Sequence, residues 1–100
     1  MFVVIWKFKP KKGLEAEFEE TYGPHGEWVK LFSNVNDYMG TSLLKEIDGE
    51  NIYLAIDRWK SKEAFESFKL RFFEEYHTID LQCKSLTEYE QIVGEFHTKY

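Results

Sequence analysis

Several things are scarce in this chain, and each scarcity removes a class of protein. There is one cysteine, Cys83, so no disulfide can form within the chain, and its usage fits a reducing cytoplasm. No apolar run approaches the roughly 18 residues that a membrane helix needs. Basic residues are outnumbered, 13 Lys and Arg against 18 Asp and Glu, for a net charge of −5. That balance argues against a general nucleic-acid binder, which neutralises phosphates with clustered Lys and Arg. The phosphate-binding and redox signatures GxGxxG, GxxxxGK[ST] and CxxC are all missing, and no three ligands stand at metal spacing. There is no internal repeat, low-complexity tract or linker. The start, Met1-Phe2-Val3-Val4-Ile5-Trp6-Lys7, reads straight into a strand, without a basic leader or a small-residue cleavage site.

Aromatic residues are abundant instead. They make up 18% of 100 residues, more ring surface than one small core usually absorbs, so a subunit interface or a pocket is expected. Their order along the chain gives the elements. Phe2, Val4, Trp6 and Phe8 alternate with Val3, Ile5, Lys7 and Lys9, the period of a strand buried on one face and partly on the other. After a turn at Pro10 and Gly13, Leu14, Phe18 and Tyr22 recur every four residues among acids, an amphipathic helix. Gly23-Pro24 interrupts it, and Trp28, Leu31 and Phe32 resume the period, which predicts one helix with a kink. A strand is expected over Tyr38–Ile47, with Gly40 as a bulge or close approach. Asp48-Gly49-Glu50-Asn51 is a hairpin signal leading into a strand over Ile52–Lys60. That strand sets Ile52, Leu54 and Ile56 on one face and Tyr53, Ala55, Asp57 and Trp59 on the other.

Ser61 caps a helix that carries Phe65, Phe68, Phe72, Phe73 and Tyr76 and runs, with a bend, to about Cys83. A last strand covers roughly Leu86–Phe96. The order β-α-β-β-α-β predicts an α+β, ferredoxin-like fold: a four-stranded antiparallel sheet with both helices on one face. Strand residues of both parities are apolar or aromatic, so a second copy covering the bare face is the simplest arrangement, a homodimer.

Candidate functional residues follow from this layout. His77 has Leu70, Phe73 and Leu81 as its helical neighbours, an apolar stripe on which an imidazole is a general base, a haem or metal ligand, or a hydrogen-bonded packing residue. His25 lies at the helix interruption; His97, close to the C-terminal end, carries no expectation. Trp6, Trp28 and Trp59 are walls for a flat ligand or packing residues. Tyr53 and Tyr76 are candidate hydroxyl donors. Asp57 and Arg58 point to opposite faces and form either a cross-strand ion pair or, through one of them, a polar anchor in a cavity. Cys83 reads as a small buried hydrophobe.

The topology and the segment Trp59-Lys60-Ser61-Lys62-Glu63-Ala64-Phe65 together resemble the dimeric α/β-barrel superfamily, and within it the antibiotic biosynthesis monooxygenase domains. There a strand ending in W-x-S-x-x-A-F runs into the second helix, which often ends near a His. The resemblance implies one domain over residues 1–100, a homodimer whose sheets pack face to face, and a pocket between sheet and helices. It implies an aromatic or apolar small-molecule ligand, with no cofactor, in a monooxygenase-like enzyme or a non-catalytic binding module. Haem-degrading members use a first-strand Asn, a second-helix Trp and a His at that helix's end. Here His77 falls near the histidine position, but Phe68 replaces the helix Trp and the first strand offers Trp6 and no Asn, so two of the three roles are missing. The quinone-forming members bind a phenolic substrate with Asn, Trp and Tyr side chains; here Tyr76, Tyr53 and Trp59 are nearby, but the second helix has no Asn. The segment Tyr22-Gly23-Pro24-His25-Gly26-Glu27-Trp28 departs from both groups and implies a pocket of its own.

Overall fold

The computed structural model describes all 100 residues. It runs β1 (Phe2–Pro10), α1 (Glu15–Tyr22), α2 (Glu27–Phe32), β2 (Tyr38–Lys45), β3 (Tyr53–Trp59), α3 (Lys62–Arg71), α4 (Phe73–Cys83), a 3₁₀ turn (Lys84–Leu86) and β4 (Thr87–His97). The strands form one antiparallel sheet in the order β2-β3-β1-β4. This is the ferredoxin-like α+β arrangement expected from the element order, with each helical layer in two pieces.

Strand parity decides the layering. Phe2, Val4 and Phe8 of β1 and Tyr53, Ala55 and Trp59 of β3 are buried under the helices, because β1 and β3 pair with Trp6 opposite Ala55 and Phe2 opposite Trp59. Phe65 and Phe68 of α3 close over Trp59, with ring centroids 5.2 and 5.0 Å away, and Phe32 of α2 meets the same indole edge-on at 5.2 Å. Ser61 caps α3, its Oγ accepting from the Ala64 backbone N–H at 3.1 Å. The opposite sheet face presents Ile5, Leu54 and Ile56, half-buried, beside the exposed Leu44 and Phe96, and no helix of this chain covers it.

Three expectations are corrected. The first helical region is not one kinked helix but two helices, α1 and α2, separated by residues 23–26. A Cβ at Gly26 would stand 2.0 Å from the Thr21 carbonyl oxygen, so the chain doubles back there more tightly than any side chain allows. The second helix is likewise broken, at Phe72 (φ −108, ψ 30). The third concerns the stripe around His77. Phe65, Phe68, Phe72, Tyr76, Ile79 and Cys83 form the inward stripe, and Leu70 and Phe73 are 81% and 65% exposed. His77 is exposed with them, its ring parallel to that of Phe73. Both stripes have helical spacing, and the break at Phe72 leaves only one of them facing the sheet.

The strands are each trimmed or shifted by a residue or two against expectation. Of the two expectations for Gly40 the bulge is present and the close approach is not: Gly40 takes φ +110 where the β2–β3 register shifts between Tyr38 and Gly40, and a Cβ there would meet nothing within 4 Å. The loop before β3 is closed by a backbone bond from Glu46 N–H to the Ile52 carbonyl, with Asn51 at φ 67.

Candidate functional site

A cavity of about 190 Å³ opens between the helices and the sheet. Its floor is Trp6 and Phe8 of β1 with Ala55 and Asp57 of β3. Tyr22 closes one side from the end of α1, and Trp28 and Phe32 of α2 form a wall. Tyr76 and Asp80 of α4 face them, while Thr41 of β2 and Glu90 of β4 complete the rim. The tight turn at Gly26 is what swings Trp28 back against Tyr76, the two rings meeting edge to face at 4.9 Å. Tyr76 and Asp80 are one helical turn apart, so both project to the same side. Glu90 reaches the rim because β4 pairs it with Phe8, on the far side of a register shift between Ile5 and Trp6.

The chemistry of the cavity centres on Asp57. Its Oδ1 accepts from Thr41 Oγ1 at 2.7 Å, and Thr41 Oγ1 is 2.5 Å from the Tyr38 hydroxyl. With Thr41 donating to Asp57, Tyr38 donates to Thr41, so a continuous line of hydroxyls runs from half-buried Tyr38 to the carboxylate. Burial raises the Asp57 pKa to about 6, outweighing the Thr41 hydrogen bond and the Arg58 charge that pull it down. Arg58 projects from the other sheet face, where its Nη1 donates to Ser42 Oγ at 3.0 Å. The two residues therefore take separate partners and form no cross-strand ion pair, and Asp57 is the one that lines the cavity.

Around it the other acids and phenols are also shifted. Burial, followed by the charges of Asp80, Asp57 and Glu90, pushes the Tyr76 phenol up to about 12, so it stays protonated as a donor. Burial and then Asp80 raise the Glu90 carboxyl, with Lys84 opposing. Tyr22 is raised by burial and by the neighbouring Cys83. The Trp28 indole nitrogen is buried and has no hydrogen-bond partner in the protein.

Of the residues singled out from sequence, Trp6, Trp28 and Tyr76 line this cavity. Trp59 and Phe68 do not; they are packed within the adjoining core. Tyr53 is also buried there, and its hydroxyl donates to Glu19 rather than into the cavity. His77 is on the exposed stripe of α4, His25 is exposed in the turn between α1 and α2, and neither lines the cavity. Tyr22, Thr41, Asp80 and Glu90 were not anticipated. Asp57 carried the one readable signal: a carboxylate on the apolar face of a central strand, in parity with Tyr53, Ala55 and Trp59.

The chain matches the antibiotic biosynthesis monooxygenase family over residues 1–70, and it belongs to that family. Its fold is that of SnoaB, a cofactor-independent oxygenase from Streptomyces nogalater, at 20% identity, covering 99% of this chain and 93% of that one, with a TM-score of 0.79. A MhuD variant with two manganese protoporphyrin IX bound per active site superimposes at 19% identity, with 100% and 96% covered and a TM-score of 0.73. PA3566 from Pseudomonas aeruginosa does so at 12% identity, with 99% and 94% covered and a TM-score of 0.70. No curated protein matches the chain by sequence. No helix is long and apolar enough to cross a membrane.

Proposed function

We propose that the chain acts as a cytoplasmic homodimer, in which each protomer binds an aromatic or apolar small molecule in the helix–sheet cavity and oxidises it as a cofactor-independent monooxygenase. The observation that carries this is Asp57, a carboxyl poised near pH 6 at the floor of an aromatic-walled cavity. Oxygen chemistry without a cofactor requires the substrate to supply the electrons, and a substrate anion does so far more readily than the neutral molecule. A base with a pKa near neutrality is suited to making that anion from a phenol or an activated C–H.

In this mechanism Asp57 takes the proton and the Thr41–Tyr38 hydroxyls hold the carboxylate in orientation. Tyr76, kept neutral, donates a hydrogen bond to the developing oxyanion. Trp6 and Trp28 clamp the ring plane. The dimer is supported by the uncovered apolar sheet face, and sedimentation at micromolar concentration is expected to show two copies per particle. A stable monomer would remove that part of the reading. The decisive experiment is oxygen uptake with a panel of anthrone-type and other phenolic substrates. Wild type turns over, Asp57→Asn loses at least about a hundredfold in rate, and His77→Ala retains activity. Absence of uptake with every substrate would sink the catalytic reading.

Binding without turnover is the second reading, favoured by the fact that no histidine lines the cavity. It predicts ligand affinity with no oxygen uptake. Haem held through His77 fits less well, because that imidazole lies on the outer stripe of α4. A haemin titration is expected to leave the Soret band unshifted.

A further inference from the structure

The cavity has a charge as well as a shape. Its acids come from three elements: Asp57 from β3, Asp80 from α4 and Glu90 from β4. No Lys, Arg or His lines it. Arg58 is turned to the far side of the sheet on Ser42, and Lys84, in the 3₁₀ turn, acts on Glu90 from outside the lining. After burial, the charges of Asp80, Asp57 and Glu90 all raise the Tyr76 phenol. They are nevertheless not gathered as a metal ion needs, since no group of three His, Cys, Asp or Glu side chains meets that requirement. Carboxylates spread around an opening of this size suit a larger cation.

The lining points to an organic occupant. The walls are the rings of Trp6, Tyr22, Trp28 and Tyr76, and aromatic faces attract cations as well as flat apolar bodies.

We propose that the cavity selects an organic cation, a protonated amine on a flat aromatic body, with the ammonium among Asp57, Asp80 and Glu90 and the ring between Trp6, Trp28 and Tyr76. The inference rests on the cavity being a ligand site and does not require oxygen chemistry. A neutral ligand of the same shape displaces water from the three carboxylates without pairing them, and an anionic one adds a fourth negative charge. Ammonium binding supplies the missing counter-charge inside an enclosure where it is screened less than in water.

Calorimetric titration of the purified protein with tryptamine, tryptophol and indoleacetate tests this, since the three share one ring and differ in charge. Tryptamine is expected to bind at least about tenfold more tightly than tryptophol, with no measurable heat from indoleacetate. The double variant Asp80→Asn, Glu90→Gln is expected to lose most of the preference for tryptamine over tryptophol. A readout needing no variant is salt: added sodium chloride weakens tryptamine and spares tryptophol. Equal affinities for tryptamine and tryptophol, or a preference for indoleacetate, overturn charge selection while the ligand-site reading stands. A preference that survives the double variant or is indifferent to salt overturns the placement of the ammonium. Binding by none of the three overturns both readings.

Discussion

The space between helices and sheet has two ends built from the same kinds of residue, and they behave differently. At one end Phe2, Trp59, Phe65 and Phe68 interlock until nothing is left open; Trp59 is 0% exposed and Phe68 2%. At the other, Trp6, Trp28, Phe32 and Tyr76 stand around a cavity of about 190 Å³. Aromatic content alone does not separate them. The difference is in what accompanies the rings. The sealed end is covered by the capped helix α3, lying directly over Trp59. The open end is covered by the short α2 and by α4, and the carboxylates of Asp57, Asp80 and Glu90 are interposed among the rings. Carboxylates resist being pressed into apolar contact, so they keep the space open that packing would otherwise close.

The largest effect expected from that contrast is at the sealed end. Phe68→Ala removes a ring in contact with Trp59, Phe32 and Phe72 and is expected to cost about 3–5 kcal/mol in urea unfolding. A cost below about 1 kcal/mol would show that this end is as loosely filled as the other.

Asp57→Asn sharpens the comparison from the open end, because there the polar group opposes folding. A carboxyl raised from 3.8 to about 6 binds its proton more tightly in the folded state. Below about pH 3.8 both states are protonated and the group is neutral to stability. Between about 3.8 and 6 the unfolded chain has lost the proton that the folded one keeps, so stability falls as pH rises, and above about 6 the full penalty remains. Asp57→Asn is therefore expected to stabilise the protein by up to about 3 kcal/mol at pH 7.5 and to have little effect at pH 3.5. Thermal melts at the two pH values check this, and a variant that is less stable at pH 7.5 would contradict it.

Ser61→Ala, at the start of the helix over the sealed end, removes the side-chain bond to Ala64 N–H and is expected to cost about 1 kcal/mol by denaturant titration. The smallest effect is at His77. It contacts neither end, so His77→Ala is expected to shift stability by less than about 0.5 kcal/mol and to leave ligand affinity in the cavity unchanged. A large loss in either would place the α4 outer stripe in the functional surface.

The reading of His77 shows where sequence reasoning reached its limit. Leu70, Phe73, His77 and Leu81 have helical spacing as regular as Phe68, Phe72, Tyr76 and Ile79, and periodicity cannot say which stripe meets the sheet. That was decided by the break at Phe72 and by the depth of Trp59, toward which Phe68 is turned. Tyr76 was legible as a candidate because it is a polar-tipped aromatic in a helix otherwise lined with phenylalanines. Asp57 was legible as a carboxylate in parity with Trp59, though not as the centre of the site. Glu90 was out of reach, since its place beside Phe8 depends on the register shift along β1 and β4.

The sequence by itself determined the element order, the parity of β1 and β3, the Ser61 cap and the bulge at Gly40. These depend on local sterics and on the periods of strand and helix, both written in neighbouring residues. Only the tertiary structure decided which aromatics close into a core and which stand around a cavity, and which three acids meet there. Those outcomes come from residues far apart in the chain, and they follow from register and helix placement that no local pattern encodes.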